Sequence, residues 1–177
     1  MANSNTNKGQ IRPMKAQDLE QVLDWRNHPS IRQFMLTQHK ISFEEHCAWF
    51  EQASKDPTRH LLIFEWDNVP SGFTHFNGAS KGGTADWGFY MSSSAPQGTG
   101  YEMGKAAIQY AFTVIGLHKI CGQVLDGNQA SIGFHNKLGF QQEGILREQH
   151  LINNKYHDLI CFGILENEWC TKKSGPM

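Results

Sequence analysis

Two hydrophobic periods run through the chain and set its elements. Leu19, Val22, Leu23 and Arg26 recur at i, i+3, i+4 and i+7, which predicts a helix over residues 16–27. Asp18 and Glu20 sit in its first turn, where the helix dipole favours acids. Asn27-His28-Pro29 stops it, because a residue before proline avoids helical geometry. Residues 30–36 read as a helical turn running into a loop. Ser42-Phe43-Glu44-Glu45 has the form of a capping box and starts a second helix that ends near residue 55, before Asp56-Pro57. His46, Trp49, Phe50 and Ala53 share one face of it. The period then shortens to two. Residues 60–66, 71–77 and 85–91 read as a three-strand meander, preceded by a short strand at 11–14. Residues 101–115 return to helical spacing, with Met103, Ala106, Ala107, Tyr110, Ala111 and Val114 on one stripe and Gly116 beyond its end. Residues 119–125 form a mostly apolar strand, parallel to 85–91 because a helix joins the two. A helix at 128–137 follows, then strands at 143–152 and 156–165 around a tight Asn153-Asn154 turn.

That order is β, α, α, β, β, β, α, β, α, β, β. It predicts an α/β (α+β) domain with one obligatory crossover, which disfavours a dinucleotide-binding sheet. Where strand 85–91 meets helix 101–115 the chain reads Ala95-Pro96-Gln97-Gly98-Thr99-Gly100-Tyr101-Glu102-Met103-Gly104. Strand, glycine turn and helix start together make a phosphate cradle. Glycine lets the backbone approach closely, and the first N–H groups of a helix lack partners.

The 177 residues carry a formal charge of −1, which suits one domain and no basic nucleic-acid face. No apolar run is long enough for a bilayer. Residues 1–10 read as a disordered polar tail, 11–169 as the domain and 170–177 as a polar tail. Cys47, Cys121, Cys161 and Cys170 show no metal-ligand spacing and read as reduced cysteines of a cytoplasmic protein. The histidines show no metal motif.

The order and the glycine turn resemble the GCN5-related N-acetyltransferase (GNAT) family. Its coenzyme-A signature matches at Gln97 and Gly100, but Glu102 stands where a small residue is expected. Its second signature matches at Asn128, Ser131, Ile132 and Phe134-His135-Asn136-Lys137-Leu138-Gly139-Phe140, with His135 in place of a tyrosine. Trp25-Arg26-Asn27-His28-Pro29, Ile41-Ser42, Glu45-His46, Trp49-Phe50 and Ala85-Asp86-Trp87-Gly88-Phe89-Tyr90 are similar to the PseH-like branch. That branch acetylates the 4-amino group of a UDP-linked 4-amino-4,6-dideoxy sugar for pseudaminic acid. The resemblance implies a mixed, mostly antiparallel twisted sheet of about seven strands, splayed between the fourth and fifth and flanked by about four helices. It implies acetyl-CoA as cosubstrate, no metal, a nucleotide-sugar acceptor, and direct attack in a ternary complex.

On that resemblance Phe89, Met91, Gln97, Gly98, Thr99, Gly100, Tyr101, Glu102, Met103, Asn128, Ser131 and Phe134 are expected at the cofactor. A main-chain N–H near Met91 would polarise the thioester carbonyl. His135 is the expected acid for the leaving thiol, and Gln123 would hold a water or the amine. Arg26 and His46 are the expected phosphate contacts. Met35, Trp49 and Tyr90 would form an apolar wall. His75, Asp86, Asp126 and Glu102 are the candidate bases. A homodimer through a sheet edge or the 78–84 loop is left open. Two competitors remain: a ribosomal-protein-type Nα-acetyltransferase on the same fold, and a non-catalytic acyl-CoA-binding regulatory module.

Overall fold

The computed structural model describes residues 9–173, with side chains described through residue 170. Strand β1 (Gly9–Pro13) leads through a single 3-10 turn into α1 (Leu19–Asn27), α2 (Pro29–Arg32) and α3 (Phe43–Ala53). A meander of β2 (His60–Trp66), β3 (Val69–Asn77) and β4 (Thr84–Met91) follows. Then come α4 (Thr99–Tyr110), β5 (Lys119–Leu125), α5 (Gln129–Leu138), β6 (Gln141–Ile152), β7 (Lys155–Leu165) and α6 (Glu166–Lys173). The seven strands lie in the order β1-β2-β3-β4-β5-β7-β6, and every pairing is antiparallel except β4 with β5.

Local chemistry explains the joints. Asp67 and Asn68 (φ 49° and 64°) and Asn153 and Asn154 (φ 50° and 59°) adopt the left-handed pair that tight hairpins need. The first turn is therefore shorter than expected, and β3 already starts at Val69. Ser42 caps α3 by accepting the Glu45 N–H at 3.1 Å, but the Glu45 carboxylate turns to His39 instead of closing the box. The last turn of the long helix widens to π geometry over Ala111–Ile115, before Gly116 closes it at φ 76°.

Each face of the sheet buries its own apolar cluster. Under α4 and α5 lie Leu62, Phe76, Trp87, Ala107, Ile108, Ile120, Val124, Phe162 and Ile164. Under α1 and α3 lie Val22, Trp25, Ala53, Leu61, Ile63, Phe73 and Tyr90. Burial of that apolar area holds the layers together, at about 25 cal/mol per Å².

Larger differences from expectation lie toward the two ends of the chain. Strand β1 begins at Gly9, inside the segment read as a tail. Strand β6 begins two residues early. Residues read as the domain's end and polar tail form α6, anchored by buried Trp169 and started where the Leu165 N–H meets the Glu168 carboxylate at 2.8 Å. The remaining tail residues, 1–8 and 174–177, lie outside the described residues. Among the described residues no helix is long and apolar enough to cross a membrane, and no group of three or more His, Cys, Asp or Glu side chains is placed to hold a metal.

Candidate functional site

The parallel strands touch only briefly. Thr84, Ala85 and Asp86 pair with Lys119, Ile120 and Cys121, and beyond them β4 and β5 diverge. From Gly122 onward β5 stays paired with β7, so the free edge of the opening belongs to β4. The Ser92 N–H donates to the Ser71 carbonyl at 2.9 Å. Antiparallel alternation then turns the N–H and C=O of Phe89 and Met91 away from β3 and into the gap. These two expected residues therefore present main-chain groups where an extended amide chain could pair.

The cradle closes the upper end of the gap. Gly98 caps α4 at φ 89°, a conformation that would strain any L side chain, and no atom lies within 4 Å of where its Cβ would be. Gly100 meets only Met91 Cγ at 3.7 Å. The cradle thus has room for a pyrophosphate at the start of α4, where the Thr99 and Tyr101 N–H groups make long bonds of 3.2 Å to the Pro96 and Gly98 carbonyls. Several expected contacts can act there only through main chain. The buried Thr99 hydroxyl donates to the Pro96 carbonyl at 2.6 Å, and the Met103 side chain lies in the core. Gln97 is exposed. Glu102 forms an ion pair with Lys105 at 2.7 Å, one helical turn along α4, which neutralises its carboxylate beside the cradle. Tyr101 lies beneath the Lys137 ammonium, 4.5 Å from the ring centre. Across the gap Asn128 caps α5 by accepting the Ser131 N–H at 3.1 Å, and Phe134 packs against Phe89 with ring centres 4.7 Å apart and planes tilted by 45°.

His135 has a different occupation from the one expected. Its Nδ1–H donates to the Ser131 carbonyl at 2.8 Å, and its Nε2 accepts the Trp87 indole N–H at 3.1 Å. The ring is 2 % exposed among Trp87, Phe89, Phe134, Phe140 and Phe162. Both nitrogens are occupied in the neutral tautomer, and burial holds the pKa below its ordinary value. No free N–H remains for a leaving thiolate. Gly122 makes the contact possible, because a Cβ there would lie 2.5 Å from His135 Nε2. The Trp87–His135 pair thus forms a floor just past the point where the strands part. Sequence spacing gave no sign of this partner, 48 positions away.

The opposite face carries the residues expected at the acceptor. Gln123 is exposed there, paired in register with Cys161. Arg26 and His46 converge from α1 and α3. His46 is 4 % exposed and stacks on Trp49 at 5.1 Å, and its Nε2 is buried with no hydrogen-bond partner. Arg26 Nη2 donates to the Thr37 carbonyl at 3.2 Å, while Nη1 is buried and unpartnered. Burial lowers both pKa values; the Tyr90 and Glu45 charges oppose it at Arg26 while Arg32 adds to it, and at His46 a hydrogen bond to the Leu19 backbone opposes it while the Arg26 charge adds to it. The Tyr90 phenol is raised by its own burial, with the nearby Arg26 charge opposing. Met35 and Trp49 pack on the same apolar cluster. His75 faces this side from β3, and Asp86 is exposed at the closed end of the parallel pair. Asp126 lies apart, bonded to His157 Nδ1 at 2.9 Å.

A sheet that parts beside an anion-ready helix start is the arrangement an acyltransferase working from a coenzyme-A thioester requires. The chain belongs to the GNAT acetyltransferases, since the model for the acetyltransferase (GNAT) domain matches residues 10–141. It is 32 % identical over 122 residues to the SPbeta prophage-derived uncharacterized N-acetyltransferase YokL of Bacillus subtilis, covering 67 % of this chain and 68 % of that one. It is 24 % identical over 170 residues to the spermidine N(1)-acetyltransferase of Escherichia coli K12, covering 94 % and 90 %. It is 26 % identical over 128 residues to the acetyltransferase PseH of Campylobacter jejuni strain 81-176, covering 72 % and 79 %. The fold also matches the spermidine N-acetyltransferase of Vibrio cholerae solved with CoA and spermine. The TM-score is 0.84 at 21 % identity, over 92 % of this chain and 98 % of that one. The chain is an N-acetyltransferase.

Proposed function

We propose that this enzyme acetylates the 4-amino group of a UDP-linked 4-amino-4,6-dideoxy sugar, by direct attack in a ternary complex. The observation that carries the reading is the buried, unpartnered Arg26 Nη1 beside the unpartnered His46 Nε2. No carboxylate lies within 4 Å of Arg26 among the described residues. A desolvated cation of this kind suits an acceptor that brings an anion, such as a diphosphate, and a guanidinium can pair with it in two bonds. The same cation repels a polyamine, whose charges are positive.

Bound acetyl-CoA supplies an acetyl group activated as a thioester. Gly98, Gly100 and the first-turn N–H groups of α4 hold its pyrophosphate, while Asn128, Ser131 and Phe134 border the opposite side of the gap. The Phe89 and Met91 main chain pairs with its amide arm and orients the carbonyl. Gln123 hydrogen-bonds the incoming amine or a water beside it. Met35, Trp49 and Tyr90 wall the acceptor pocket, and His135 positions Trp87 as the floor.

Transfer of labelled acetyl groups from acetyl-CoA to a panel of acceptors tests the reading. UDP-4-amino sugars should turn over, with spermidine and ribosomal-protein amino-terminal peptides well behind. Preference for spermidine or for a peptide overturns the sugar assignment. CoA binding without turnover on any amine overturns the catalytic one.

A further inference from the structure

The register of the sheet places two side chains on either side of the gap at one height. Asp86 pairs with Cys121, so two residues on Gly88 stands level with Gln123, at the height where the strands have parted. His75 is paired with Gly88 and points to the same face. One strand spacing of about 4.8 Å separates its backbone from the free edge of β4. The His75 ring lies against Gly88 with its Cε1–Nε2 edge closest. A Cβ at residue 88 would be 2.5 Å from Cε1, 2.8 Å from Nε2 and 3.4 Å from Nδ1. Glycine at 88 is therefore what lets the nitrogen-bearing edge of the imidazole lie against the strand that borders the opening. Its Nδ1 is buried with no partner.

The two catalytic side chains expected from the sequence are unsuited to take the proton. Gln123 has no basic atom. Both His135 nitrogens are occupied, on the far face of the sheet. We propose that His75 is the group that takes the proton released by the acceptor amine, directly or through one water. As the nitrogen–carbon bond forms and the carbon–sulfur bond breaks, the amine proton passes to Nε2, the ring nitrogen nearer the edge of β4, and on to solvent, while the buried Nδ1 keeps its hydrogen. The departing thiolate takes its proton from solvent. The proposal deepens the N-acetyltransferase reading and holds for any amine acceptor.

Burial pushes the His75 pKa down to about 4, with a smaller push from Arg59. The ring is therefore neutral throughout the working range, with a lone pair free, and it carries a proton briefly rather than storing one. The charged and titratable groups on this face around it are Arg59, Asp86, the Tyr90 phenol and, across the gap, the Cys121 and Cys161 thiols. None of them forms an ion pair or hydrogen bond with His75.

The experiment compares His75→Ala with the parent enzyme, using whichever acceptor of the panel turns over. The expected result is a fall in kcat of about a hundredfold, with CoA affinity by calorimetry within about twofold. Added imidazole should restore part of kcat in His75→Ala, whereas pyrazole, of the same shape but far less basic, should not. The rate of the parent should show no loss from His75 protonation down to pH 6. If kcat in His75→Ala stays within about threefold of the parent, or if pyrazole rescues as well as imidazole, the proposal falls. His75→Gln covers the case of a variant that does not fold, with the same fall in kcat expected. A parent enzyme that turns over no amine refutes the acetyltransferase reading itself, a result distinct from an unaffected variant.

Discussion

Replacing Arg26 with methionine separates binding energy from folding energy at the acceptor site. In the free enzyme Nη1 is a buried donor without an acceptor, a state that costs about 1–3 kcal/mol. Methionine keeps much of the apolar stem and removes that cost. It also removes the 3.2 Å bond from Nη2 to the Thr37 carbonyl, worth about 0.5–1.5 kcal/mol. The balance is stabilising by about 1 kcal/mol, or about 2–4 °C in Tm for a domain of this size. In the complex the same change deletes a charge-assisted bond to an acceptor anion, worth about 1.5–3 kcal/mol. That corresponds to a rise in acceptor KM of roughly 10- to 200-fold. Calorimetric melting and initial rates under saturating acetyl-CoA measure the two halves. A stabilised Arg26→Met enzyme with raised acceptor KM and unchanged CoA affinity is the expected outcome. An unchanged KM for the nucleotide sugar refutes the assignment of Arg26 to an acceptor anion. A Tm lowered by several degrees refutes the view that the guanidinium is strained in the free enzyme.

Two further predictions concern the histidines. His135→Phe strands the buried Trp87 indole N–H, so stability should fall by about 1–3 kcal/mol in denaturant titration, while the pH profile of kcat keeps its shape between pH 6 and 8. Loss of a limb in that profile would restore His135 as an acid. His46, His60, His75 and His135 all have pKa values depressed chiefly by burial. Their unfolded forms therefore bind protons first, so the stability they confer is complete above the unfolded value of about 6.5 and is lost as pH falls toward 4. Melting between pH 7 and pH 4.5 should show Tm falling, with a shallower slope in His75→Leu. An equal slope in that variant would remove His75 from the account.

The sequence carried the frame well where chemistry is local. Gly98 and Gly100 between a strand and an amphipathic helix, and Asn128 ahead of Ser131, are read from spacing because the parts of each motif are neighbours. The double-Asn turn and the Ser42 cap follow for the same reason. Helix α6 stayed hidden because its one buried apolar anchor is Trp169, and a single anchor sets no period. His135 was misjudged because its decisive partner, Trp87, reaches it across the sheet. Glu102 looked like an intrusion into the cofactor site only until Lys105, three residues along the same helix, accounted for its carboxylate. Arg26 and His46 were suspected from resemblance. That their nitrogens lack partners is a property of packing, which no linear pattern contains.

The brief contact between β4 and β5 has a consequence for cohesion. Three residue pairs join a four-stranded half, β1 to β4, to a three-stranded half made of β5, β7 and β6. With so short a seam, the helices α4 and α5 and the Trp87–His135 bridge carry the mechanical load between the halves. An extended cosubstrate lying in the gap acts as a missing strand. Its amides would give Phe89 and Met91 hydrogen-bond partners and lengthen the seam from one side. Saturation with CoA should then slow amide exchange along β4 well beyond the cradle, as two half-sheets become one cooperative unit.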